Sequence, residues 1–123
     1  MITTGNPASV LGRWLNTNRE SRGIAECVIA RENDDITVRI KGAGGDNEGE
    51  PWPIAKATVL ANLEEEAGQR TIALLQTFDL GFMTADTHIR VNKGVLVIVL
   101  YVTFTDDSGR SNYLNREFFY RHE

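Results

Sequence analysis

Cysteine is nearly missing from this chain. Cys27 stands alone, so no internal disulfide can form. That fits a reducing compartment. The first residues, Met1 to Pro7, show neither a charged n-region nor an apolar h-region, so no secretory leader is expected and the expected location is cytoplasmic. Positive charge is in the minority, with 13 Lys and Arg against 17 Asp and Glu and a net charge of −4. The basic residues are scattered and form no stripe of the kind a nucleic-acid surface needs. Histidine is scarce. His88 and His122 have no partners at metal-ligand spacing, so no zinc site is expected. Long hydrophobic runs are absent too. The longest, Val95 to Val102, falls far short of the ~20 residues of a membrane-spanning helix. No GxSxG, P-loop or dinucleotide fingerprint occurs. Gly42-Ala43-Gly44-Gly45 is followed by Asp46 and Glu48, which would repel phosphate. No cofactor is expected.

What is present is pattern. The chain has 123 residues, 41% of them apolar, enough for one domain with a real core. Residues 1–9 are small and polar and read as a flexible arm; residues 10–123 read as a single domain. The dominant stretch is Val95 to Thr105 (VLVIVLYVTFT). Its β-branched and aromatic side chains favour a pleated backbone. Leu96, Ile98, Leu100, Val102 and Phe104 would fill a core, while Val95, Val97, Val99 and Tyr101 lie on the opposite face.

The other strands are bounded by turn residues. Val10 to Thr17 is the first candidate, then Ile24 to Arg31, then Ile36 to Lys41 with a period of two. Residues 42–51 are rich in Gly and acids and read as a mobile loop. Residues 54–63 suit a helix by propensity. As a strand, they place Ala55, Ala57, Val59, Ala61 and Leu63 on one side, and their neighbours are strands, so strand is predicted. Gly68 marks a hairpin turn. Arg70 to Phe78, Thr87 to Asn92, Val95 to Thr105 and Ser111 to Arg121 complete the set. Eight strands joined by short connections pair with their neighbours, and eight is a number at which a sheet closes around a filled interior or one small ligand. Closure also removes exposed edges. The expectation is an all-β, eight-stranded antiparallel up-and-down barrel.

Leu11-Gly12-Arg13-Trp14-Leu15-Asn16 followed by Gly23-Ile24 resembles the first hairpin of the calycin-like barrels, the lipocalins, fatty-acid-binding proteins and avidins. The resemblance implies that Trp14 plugs the barrel base, with a cation from Arg116 or Arg121 over its ring. The match to avidin-like barrels is closest over residues 11–24, where Asn16 falls on a ligand-contacting Asn. The rest of the biotin site has no counterpart, so biotin binding is not implied. The chain also looks like a small family of bacterial proteins of unassigned function. That family pairs a GxWxNxxxxxRGI opening with an FxDxSGRxxYxxREFFxR-like ending, here Phe104 to Arg121. This second resemblance transfers no activity.

Several residues carry chemistry. Asp106-Asp107-Ser108-Gly109-Arg110 is either an anion nest or a turn whose polar side chains bond their own backbone. Glu64-Glu65-Glu66 reads as a solvated turn, and Cys27 as a small buried hydrophobe. Arg116 shares a face with Leu114, Phe118 and Tyr120, the more apolar face of the last strand. If that face points inward, Arg116 is a buried cation that needs Glu26, the Trp14 ring or an anionic ligand. Asn16, Asn18, Trp52 and Tyr101 are candidates to line a mouth, with Trp14 at the base. Three functions follow. The first is a binding module holding a small apolar or carboxylate-bearing ligand under the 42–53 loop. The second is an oligomeric interaction or structural barrel with a filled interior, a dimer or tetramer joined through the outer face of strand 95–105. The third is a small isomerase or cyclase using Glu26 with Tyr113 or Arg116.

Overall fold

Alternation along the strands organises the molecule. In the computed structural model, which describes residues 9–43, 51–61 and 71–122, nine strands form one antiparallel sheet. They are β1 (Gly12–Asn16), β2 (Ile24–Glu32), β3 (Asp35–Gly42), β4 (Ala55–Lys56), β5 (Thr58–Ala61), β6 (Thr71–Asp79), β7 (Met83–Asn92), β8 (Val95–Phe104) and β9 (Tyr113–His122). The sheet order is β4-β3-β2-β1-β9-β8-β7-β6-β5. Its two ends, β4 and β5, are separated in the chain by Ala57 alone, so the sheet is barrel-like and nearly closed. Among the described residues no helix is long and apolar enough to cross a membrane.

The expected count of eight strands is corrected to nine, because the fourth span changes partner midway. Ala55 and Lys56 pair with Val38 and Thr37 of β3, and the Ala57 amide continues that ladder to the Ile36 carbonyl at 2.8 Å. From Thr58 onward the chain pairs with β6 instead, Thr58 opposite Leu75. One strand thus becomes two at the point of closure. Strand β7 starts at Met83, four residues before the expected Thr87. Ala85 and Asp86 have little strand propensity alone, but Thr84, Ala85 and Asp86 pair with Thr103, Val102 and Tyr101 of the long β8. The loop at 44–50, the arm at 1–8 and the turn around Gly68 lie outside the described residues.

The turns carry their own signals. Lys93 and Gly94 both have positive φ (53° and 82°), the backbone of a two-residue hairpin turn whose twist matches its strands. Every second residue of β8 is buried, Leu96, Ile98, Leu100 and Val102, as the pattern predicted. They meet Ile36, Val38 and Ile40 of β3, Leu74 and Phe78 of β6, Ile89 of β7 and Phe119 of β9 in one cluster. Each such side chain contributes roughly 1.5–3 kcal/mol on leaving water.

Trp14 lies within this core, 1% exposed. Its indole N–H donates to the Val10 carbonyl at 3.0 Å. The Arg121 guanidinium covers its ring at 4.4 Å and donates to the Leu11 and Ser9 carbonyls. The path of Arg121 explains Gly12. That residue has φ +132°, and a Cβ there would meet the Arg121 Nη1.

Candidate functional site

Two places concentrate chemistry: the barrel end near the β1–β2 connection, and the outer face of β6 to β9.

At the barrel end, Asn16 is the last residue of β1 and turns inward, 9% exposed. Its amide nitrogen donates to the Ile24 carbonyl at 2.7 Å and to Glu117 Oε1 at 3.0 Å. Its oxygen accepts the Asn18 N–H at 2.8 Å. Glu117, on β9, is 7% exposed. Its carboxylate also accepts the Ser21 hydroxyl and the Ile24 backbone N–H, at 3.1 Å. Ser21 Oγ in turn accepts the Gly23 N–H at 3.0 Å. The 16–24 connection is therefore tied to β9 by the Glu117 carboxylate, and by Thr17, whose N–H (2.9 Å) and hydroxyl (3.1 Å) both donate to the Phe118 carbonyl. A Cβ at Gly23 would collide with Glu117 Oε2, so glycine is needed there for close approach.

The six residues named from sequence fall into separate places. Trp14 and Asn16 point inward, as described. Trp52 is partly buried, stacks edge-on against Phe78 with centroids 5.4 Å apart, and bonds its backbone N–H to the Ile40 carbonyl at 2.8 Å. It anchors the segment after the Gly-rich loop onto the core. Asn18 is exposed and caps its own turn, its side-chain oxygen accepting the Glu20 N–H at 3.0 Å. Tyr101 is on the outer face, 48% exposed. Arg116 is also outside, opposite Val99 of β8, with its guanidinium 5.6 Å from the Phe118 ring. The face of β9 that carries Leu114, Arg116, Phe118 and Tyr120 points to solvent, and the inward face is that of Glu117 and Phe119. Arg121, not Arg116, covers Trp14. Glu26 is outside too, paired with Arg13 and, at 4.0 Å, with Lys41. It meets neither Tyr113 nor Arg116, so the proposed acid–base pairs are not assembled.

Sequence reasoning missed Glu117 and Ser21. Phe118, Phe119 and Tyr120 are consecutive aromatics, so parity could not be read from them. It also missed Gln76 and Thr87, two buried polar side chains facing each other across β6 and β7. Gln76 Nε2 and Thr87 Oγ1 bond one another. Gln76 Oε1 is the one buried side-chain polar atom without a partner among the described residues.

The Asp106–Arg110 turn closes on itself. Arg110 donates to Asp106 Oδ2 and to Ser108 Oγ, both at 2.9 Å, and lies over the Phe104 ring at 4.3 Å. The Ser108 hydroxyl, with help from its backbone N–H and from Arg110, holds the Asp106 carboxyl below its ordinary value. The arginine already has its anion. Burial, with a smaller contribution from Glu26, pushes the Cys27 thiol well above its ordinary value, which keeps it protonated and unreactive. Burial, with a further push from Glu117, raises the Tyr113 hydroxyl.

On the outer face, Leu75, Val95, Tyr101, Leu114, Phe118 and Tyr120 are all exposed. Cross-strand register joins part of this set: Tyr101 stands opposite Leu114 and Val97 opposite Phe118, with Arg116 opposite Val99 between them, and Leu75 stands opposite His88. Beside this stripe lies an open depression of about 380 Å³ lined by Lys56, Thr58, Leu75, Asp86, His88 and Tyr101, among others.

Comparisons of the chain with protein-family models, with curated proteins and with solved structures find no match.

Proposed function

We propose that this protein is an interaction barrel that associates with copies of itself through the outer face of β8 and β9. One observation carries the reading: Tyr101, Leu114 and Phe118, with the half-buried Val97 and Val99 and a single arginine, Arg116, among them, form a largely apolar stripe where strands normally turn polar side chains to water. Exposed patches of this kind mark interaction sites. The flanking charges favour a second copy as the occupant. Asp86, His88 and Arg90 are successive outward positions of β7. A two-fold axis lying across the strands at His88 sets Asp86 against the partner's Arg90 and repeats the pair, while Arg116, in register with His88 through Val99, comes to lie near its own copy beside the Phe118 ring. Isologous contacts need that self-complementarity. The simplest product is a C2 dimer, with a tetramer of barrels as the next step. The Arg121–Trp14 stack supports the calycin-like resemblance, and such barrels host unrelated functions.

A second reading draws on Gln76. A buried carboxamide oxygen without a partner is costly, and either orientation of the amide leaves one of its polar atoms unmatched. A small ligand with one polar group, or a water, would satisfy it. A ligand-binding barrel is therefore the alternative.

Native mass spectrometry of the purified protein separates the two. A bare dimer or tetramer supports the interaction barrel, and a monomer with a discrete extra mass supports the ligand carrier. The double variant Val97→Lys, Val99→Lys should convert the oligomer to a folded monomer. If the oligomer survives that change, the interface lies elsewhere.

A further inference from the structure

The sequence suggested a cation, Arg116, as the anchor for a small acid. The structure places a different carboxylate receptor at the barrel end, built from neutral donors. Asn16 Nδ2, the Ser21 hydroxyl and the Ile24 backbone N–H converge on one carboxylate, that of Glu117. Asn16 and Glu117 are both more than nine-tenths buried. Glu117 forms no ion pair among the described residues. A buried carboxylate without a cation is retained only where several donors meet it. These donors are held in place independently of it. The Asn16 amide is oriented by the Ile24 carbonyl and the Asn18 N–H, Ser21 Oγ by the Gly23 N–H, and the connection by the Ser21 N–H to the Asn18 carbonyl at 3.2 Å. The nest therefore has a shape of its own, and Gly23 supplies the room for an anion.

We propose that this end of the barrel is a binding site for a small monocarboxylate, which the chain occupies with its own Glu117. The side chain acts as a tethered ligand, and the tether fastens the β1–β2 connection to β9. Removing the Glu117 carboxylate opens a site of matching chemistry for formate or acetate. A free acid must displace Glu117 to enter the intact protein, so the wild type should bind such ions weakly or not at all. The proposal is independent of the outer-face reading, since it concerns donors inside the barrel end.

Chemical rescue tests it. Glu117→Ala should melt several degrees below the wild type in chloride. Formate, and less so acetate, should raise its melting temperature with concentration, at matched ionic strength. Ligand that binds only the folded state produces such a shift. The wild type should not respond. Glu117→Gln keeps the nest filled with a near-isostere and should not respond either. The combined Asn16→Ala, Glu117→Ala variant should lose the response. Equal melting temperatures in formate and chloride for Glu117→Ala would overturn the proposal, and so would an equal response from the Asn16→Ala double variant. If Glu117→Ala does not fold in chloride, refolding yield becomes the readout. A yield that rises with formate supports the tethered-ligand site, and a yield indifferent to formate refutes it.

Discussion

The outer surface over β1 to β3 and the outer surface over β8 and β9 alternate with the same kind of interior, yet they are made of different materials. Over β1 to β3, charged residues pair across the strands: Arg13 with Glu26, Arg39 with Glu32 at 3.0 Å, and Lys56 of the adjoining β4 with Asp35 at 3.3 Å. Over β8 and β9, the corresponding positions hold Val95, Val97, Val99, Tyr101, Leu114, Phe118 and Tyr120, broken by Thr103 and by Arg116 opposite Val99. Apart from Asn16 and Glu117, the inward residues of both halves are chiefly aliphatic or aromatic and buried. The fold therefore depends on one parity only, and the other parity is free to follow function. Charged pairs on an exposed face contribute about 0–1 kcal/mol each and serve chiefly to keep that face wet. A face left largely apolar by the same free choice is the feature on which the proposed self-association rests.

The first way to test this separation is to damage the shared interior. Trp14→Ala removes the largest buried side chain, leaves the Val10 carbonyl without its donor and takes the ring from beneath Arg121. We expect a loss of about 3–5 kcal/mol, measured by urea denaturation. The same loss should appear in the Val97→Lys, Val99→Lys background, because distant sites add. A much smaller loss in that background would mean that interior and outer face are one energetic unit.

Much of this division was legible from sequence. The parity of β8 could be read because Leu, Ile and Val fill its two faces with one polar break, Thr103, placed on the outer side. The turns at Asn92-Lys93-Gly94 and Glu32-Asn33-Asp34-Asp35 were legible because Gly, Asn and Asp tolerate positive φ. The split of the fourth strand was not legible. Ala57 differs in no local property from Ala55, and the change of partner is set by how the sheet meets itself. The candidate site was less legible still. Arg116 and Glu117 are adjacent and both charged, and only the register Val99–Arg116 against Ile98–Glu117 decides which of them enters the interior. A one-residue shift exchanges every side chain between faces. Ser21 could not be tied to Glu117 because that contact spans 96 residues.

A gentler test changes one outward residue on the charged half. Val28 stands between Arg13 of β1 and Arg39 of β3. Val28→Glu places an acid between two cations, and its effect on stability should stay within about 0.5 kcal/mol. Its oligomeric state, read by light scattering, should match the wild type. Dissociation by Val28→Glu would move the interface to the charged half and remove the contrast on which the interaction reading stands.

The smallest expected effect tests whether the β8–β9 turn belongs with the charged surface or closes the apolar one. Arg110 lies over Phe104 and Phe82 while holding Asp106, so its charge is paired within the turn although half of the side chain remains in solvent. The Asp106 carboxyl is depressed chiefly by the Ser108 hydroxyl. The folded protein therefore binds this proton less readily than the unfolded chain does. Stability from Asp106 is complete above the unfolded carboxyl value of about 3.9 and is lost as pH falls through the lower folded value. Asp106→Asn removes that dependence and leaves the side-chain geometry. The wild type should lose slightly more stability than Asp106→Asn over that acid window, and the two should run parallel above it. Superimposed acid limbs would show that the ring of Asp106, Ser108 and Arg110 contributes nothing to folding. The turn would then be as expendable as the surface pairs over β1 to β3, and the aromatic side chains beneath Arg110 would be held by β7 and β8 alone.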